Sequence, residues 1–69
     1  MIYFFTKGQQ YVRCEIHPGR PHVLTLVDPD GTENTEHYAS AAELEARWSA
    51  VTCELTHGGW AGPFGRDGR

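Results

Sequence analysis

The sequence predicts an α+β domain: an antiparallel meander of three or four strands, in order 1-2-3-4, with one helix across one face (β-β-β-β-α). Two patterns carry this expectation. Up to residue 38 the chain reads as short strand-like runs, alternating between apolar and polar over residues 10–17, that end at Gly- or Pro-bearing turns. After Ser40 the apolar spacing changes to three and four, the period of a helix with one buried side.

The opening run, Ile2-Tyr-Phe-Phe-Thr6, is aromatic and β-branched and favours a strand. Lys7-Gly-Gln-Gln10 is a turn, with Gly8 free to take a positive φ. From Gln10 to His17 the chain alternates. Val12, Cys14 and Ile16 fall on one side, and Tyr11, Arg13, Glu15 and His17 on the other. Pro18-Gly-Arg-Pro21 breaks the run. Residues 22–28 form a third strand that is apolar on both sides and therefore central, with Leu24 and Leu26 toward the core. Asp28-Pro-Asp-Gly-Thr32 is the strongest turn in the chain, with Pro opening it and Asp-Gly closing it. Residues 32–38 are polar and suit an exposed edge strand.

The helix runs from about Ser40 to Gly58. Ser40-Ala-Ala-Glu43 fits a capping box. Ala41, Leu44, Trp48, Val51 and Leu55 form one apolar stripe. Gly58-Gly59 supplies a left-handed stop, after which Trp60 folds back onto the last turn. Glu43 and Arg47 stand at the i, i+4 spacing that allows pairing. The expected core is Phe4 or Phe5, Val12, Cys14, Ile16, Leu24, Leu26, Tyr38, Leu44, Trp48, Val51, Leu55 and Trp60. Residues 1–60 form the single domain, and 61–69 a Gly-rich, loosely ordered tail that Phe64 could anchor.

Bulk properties narrow the function classes. With 69 residues the chain is one small domain. Its 39% hydrophobic and 12% aromatic content is too high for a disordered segment. The formal charge of −3 argues against broad phosphate-backbone binding. No signal peptide or membrane-spanning run stands out, so a cytoplasmic protein with reduced thiols is expected.

Residue spacing disfavours several specific chemistries. Cys14 and His17, three apart on a strand, point to opposite faces and do not converge on a metal. Cys53 and His57, four apart on the helix, are the weak metal candidates. Cys14 sits among apolar neighbours and Cys53 late in a helix, and neither setting favours a thiolate nucleophile. No phosphate-cradling loop or hydrolase motif occurs, and no catalytic residue or cofactor is expected.

Two surfaces remain as binding candidates. The helix side away from the core is small and nearly uncharged: Ala42, Ala46, Ser49, Ala50 and Cys53. Such a face allows close approach by a second copy, and a homodimer or other protein partner is expected there. The outer sheet face would carry Tyr11, Arg13, His17, Thr25 and His37, with aromatics from Tyr3 or Phe5, and could stack bases. The leading expectation is a small non-enzymatic protein-interaction or assembly module, self-associating through the helix. The alternative is a nucleic-acid-binding module using Tyr11, Arg13 and His17, and a small enzyme comes third. No membrane association is expected.

The order of parts also carries a resemblance. The aromatic opening strand, Arg13-Cys14-Glu15, Asp30-Gly31, Tyr38-x-Ser40-x-x-Glu43-Leu44 and Gly59-Trp60 together resemble small uncharacterised bacterial proteins. The meander, helix and Gly-aromatic ending are more distantly similar to the second half of WGR domains, which implies a DNA-related setting. The Trp-Gly-Arg triplet itself is absent, since Ala61-Gly62 follows Trp60. No residue role passes to this chain.

Overall fold

The alternating half of the chain folds as the meander its pattern requires. In the computed structural model, which describes residues 1–66, the strands are β1 (Ile2–Lys7), β2 (Gln10–His17), β3 (His22–Val27) and β4 (Glu33–Tyr38). Helix α1 (Ala41–His57) follows, and then a fifth strand, β5 (Ala61–Arg66). All neighbouring strands are antiparallel, in the order β4-β3-β2-β1-β5.

The turns use the expected glycines. Gly8, at φ 63°, opens the two-residue link from β1 to β2. Gly31, at φ 90°, lies in the link from β3 to β4, where its N–H donates to the Asp28 carbonyl at 2.9 Å. The Thr32 N–H donates to Asp30 Oδ1 at 2.9 Å in the same turn.

One face of the sheet is covered. Phe5, Val12, Cys14, Ile16 and Leu24 point toward α1 and are buried, together with Leu44 and Val51 of the helix. Tyr3, Leu26, Trp48 and Leu55 bridge the two halves of this core. The Trp48 ring lies 5.0 Å from Tyr3 and 5.9 Å from Phe5, centroid to centroid. Tyr38 and Trp60 pack at opposite ends. Of the two expected phenylalanines, Phe5 is in the core and Phe4 lies on the other face, opposite Arg13 in the register. Tyr3, expected on the outer face as an alternative to Phe5, is also directed inward, because strand alternation places both with Val12 and Cys14.

The helix ends as its sequence prescribes and begins with one of the two bonds of the expected capping box. Ser40 Oγ accepts the Glu43 N–H at 3.2 Å. At the far end Gly59 takes φ 91°, its N–H donates to the Thr56 carbonyl, and the Trp60 N–H donates to the Leu55 carbonyl at 3.0 Å. These are the two bonds of a Schellman stop, and they turn Trp60 back onto Leu55 and the core. Lys7 Nζ donates to the Gly58 carbonyl at 2.8 Å, placing a cation at the negative end of the helix.

Arg47 does not pair with Glu43 as its spacing suggested. It reaches across to β4, where Nε donates to Glu36 Oε1 at 2.9 Å and a terminal nitrogen donates to Oε2 at 3.3 Å. Tyr38 Oη donates to the same Oε1 at 2.5 Å. A two-point contact with a carboxylate that also accepts a tyrosine outcompetes an exposed pair along one helix. The clamp ties α1 to the β4 edge, and the Arg47 and Tyr38 hydrogen bonds hold the Glu36 carboxyl below its usual range.

The segment 61–69, expected as a loose tail, supplies β5 over residues 61–66; residues 67–69 lie outside the described residues. The domain therefore extends beyond residue 60, and the sheet has five strands where three or four were expected. Gly62 makes the pairing possible. At φ 140° it occupies a conformation that other residues rarely adopt, and a Cβ there would stand 2.8 Å from the Phe4 carbonyl oxygen and 2.9 Å from Phe5 Cδ2. The register shifts between Phe4 and Thr6, where the close approach occurs. Pro63 is tolerated because β5 is an edge strand.

Two consequences are measurable. Gly62→Ala is expected to lower stability by about 2 kcal/mol in denaturant unfolding, because backbone strain and the clash with Phe4 act together. The Glu36 clamp is expected to make folding acid-sensitive. A carboxyl whose folded pKa is depressed stabilises above its unfolded value, about 4.5, and that contribution is lost as pH falls through the lower folded value. Urea unfolding below pH 4.5 should show this loss, worth about 1 kcal/mol, and Glu36→Gln should remove it.

Candidate functional site

The face of the sheet opposite α1 is open. Strand alternation and the register place a defined row across it: Phe64 of β5, Phe4 of β1, Arg13 of β2, Val27 of β3 and Glu33 of β4. Beside it lies Ile2, Glu15, Thr25 and Thr35, and beyond that His17, Val23 and His37. Tyr11 sits opposite Thr6 at the other end of the face.

Three aromatic rings belong to this surface. Tyr11 is 59% exposed and Phe64 53% exposed, while Phe4 is half-buried. Phe4 and Tyr11 meet edge to face, with centroids 6.1 Å apart. Phe64, which could have anchored the segment on the core, is turned to the open side by strand pairing. Its role could not be read from a segment so rich in glycine, because the face of a residue is defined only once its strand has a partner.

The expected sheet-face residues Tyr11, Arg13, His17, Thr25 and His37 do share this surface. Their charges are largely internal to it. Arg13 Nε lies 2.9 Å from Glu15 Oε2, close enough for an ion pair but misaligned for a hydrogen bond. The other carboxylate oxygen of Glu15 lies 3.2 Å from His17 Nε2. Thr25 is buried among its neighbours, and its hydroxyl lies 3.4 Å from that of Thr35.

At the Tyr11 end the face runs into a cleft of about 210 Å³ between the β1–β2 and β3–β4 turns. Gln9, Gln10, Tyr11, Arg13, Val27, Asp28, Pro29 and Gly31 line it. The backbone N–H of Thr32 holds the nearby Asp30 carboxyl below its usual range. A second hollow, of about 250 Å³, lies between the start of α1 and the sheet, bounded by Tyr3, Ile16, His22 and Trp48 among others. His22 Nδ1 there accepts the Gly19 N–H at 3.3 Å. Neither hollow is lined by Ser, Thr or Cys.

The small helix face is where the sequence places it. Ala42, Ala46, Ser49, Ala50 and Cys53 are all exposed. All five side chains are small. Cys53 and His57, the metal candidates, are both exposed on α1, and the structure brings no third ligand to them: no group of three or more His, Cys, Asp or Glu able to hold a metal occurs among the described residues. Cys14 is fully enclosed, and burial pushes its thiol up to about 11.

Compared with known proteins, the chain matches no family model, no curated protein and no solved structure. No helix among the described residues is long and apolar enough to cross a membrane.

The two thiols are expected to differ sharply. One equivalent of an aromatic disulfide reagent should react with the native protein at pH 8, at Cys53. The second, at Cys14, should react only on unfolding, and Cys53→Ser should remove the fast phase alone.

Proposed function

We propose that this protein is a small, non-enzymatic protein-interaction module whose contact surface is the open face of the sheet. One observation carries the reading: Phe4, Tyr11 and Phe64 stand together on the uncovered side, and two of the three are more than half exposed. Large aromatics held on a rigid sheet present much contact area with little conformational freedom to lose, and such residues dominate protein interfaces. Ile2, Val23 and Val27 add apolar surface around them.

Charge favours a polypeptide over nucleic acid as the occupant. The guanidinium of Arg13 is neutralised by Glu15, and Lys7 is engaged at the helix end on the covered side. A phosphate backbone needs a clustered positive field, and this face has none among the described residues. The helix face of Ala42, Ala46, Ser49, Ala50 and Cys53 offers a second copy an unobstructed approach, but it contributes no anchor of the size that Tyr11 and Phe64 provide.

Photo-crosslinking distinguishes these surfaces. A benzophenone amino acid at position 11 or 64 is expected to give protease-sensitive adducts in cells, including adducts of twice the chain mass if the partner is another copy. The same group at position 46 should give none. Adducts from position 46 alone, or adducts sensitive only to nuclease, would refute the assignment.

A further inference from the structure

The partner's chemistry follows from the charges around the aromatic rings, given the protein-interaction reading above. The cleft beside Tyr11 is lined by one carboxylate, that of Asp28, and one guanidinium, that of Arg13, while Asp30 lies in the same turn and Glu33 stands opposite Val27. Arg13 is held by Glu15 at 2.9 Å. Asp28 uses its backbone in the turn, where its N–H donates to the Thr32 carbonyl and its carbonyl accepts from Gly31. Its carboxylate has no hydrogen bond or ion pair among the described residues, and it lines the cleft beside the Tyr11 ring.

We propose that this cleft receives an arginine side chain from a basic polypeptide partner that lies across the open face. The guanidinium stacks on Tyr11 and donates to the Asp28 carboxylate, while its methylene stem rests on Val27 and Pro29. Apolar side chains flanking that arginine cover Phe4 and Phe64. Three independent features converge on this occupant: an exposed aromatic ring as one wall, an uncompensated carboxylate beside it, and a cleft sized for one planar group rather than for a whole helix. An acidic partner would meet unpaired like charge at Asp28 and Glu33. A single-stranded nucleic acid could stack on the rings but would bring its phosphates to the same carboxylates.

Fluorescence anisotropy with the full chain at low salt tests this. The probes are a labelled synthetic peptide alternating Arg with Leu, its Glu-for-Arg counterpart, and an oligothymidylate of similar length. The arginine peptide is expected to bind about tenfold or more tighter than either alternative. Asp28→Asn and Tyr11→Ala should each weaken it about fivefold, with circular dichroism confirming the fold, and Ala46→Glu should leave it unchanged. Equal binding of the acidic peptide, preference for the oligothymidylate, no binding of any probe, or indifference to Asp28→Asn would each overturn the proposal. Protein adducts from positions 11 and 64 that persist after such a failure would retain the interaction module and remove only its basic partner.

Discussion

A single helix can cover only one face of a five-stranded sheet, and most of this molecule follows from that constraint. Helix α1 has 17 residues and spans roughly 26 Å, at a diameter of about 10 Å. Five strands spaced about 4.8 Å apart span about 19 Å from the first axis to the last, about twice the helix diameter though within its length. The covered face beside the helix is filled by large side chains from the helix and its stop. Trp48 bridges Tyr3 and Phe5, and Trp60 closes the β1 side after the Gly59 turn. On the β4 side, where Glu36 and Asn34 face inward in place of apolar residues, the same need is met by the Arg47–Glu36–Tyr38 clamp.

The opposite face receives no helix and remains open. In an antiparallel sheet that situation is ordinary when the outer residues are polar. Here the outer residues include Phe4, Tyr11 and Phe64, so the sheet is apolar on both sides around β1. Exposed aromatic surface has a free-energy cost in water, and its concentration on one face is what the proposed contact surface rests on. In the proposed reading, the carboxylates of Asp28 and Glu33 discourage association with acidic surfaces or phosphates and favour the approach of a cation.

Much of the fold was legible because its signals are local. The capping serine, the Gly59 stop, the Asp30-Gly31 turn and the alternation of Val12, Cys14 and Ile16 each rest on interactions within a few residues, and each appears in the structure. The sheet-face set of Tyr11, Arg13, His17, Thr25 and His37 was legible for the same reason, since period two sorts residues without reference to a partner. Three features were not legible. Whether Phe4 or Phe5 enters the core is decided by the register with β2, because a run of consecutive apolar residues shows no alternation. The Arg47 partner lies on another element, 11 positions away. Strand β5 is built from Gly62, Pro63 and Gly65, residues that individually disfavour strands.

By itself, then, the sequence determined the elements, their order through the helix, and which face of β2, β3 and α1 would be buried. Those outcomes depend on backbone propensity and on the periodic separation of apolar from polar side chains, both of which are written along the chain. Tertiary structure alone decided that residues 61–66 would join the sheet beside β1, that Phe64 would come to rest opposite Phe4, and that the Tyr11 ring and the Asp28 carboxylate would border one cleft. Each of these joins residues far apart in the chain or on separate strands. The energy of such contacts belongs to the pairing of elements, and it has no counterpart in any short stretch of sequence.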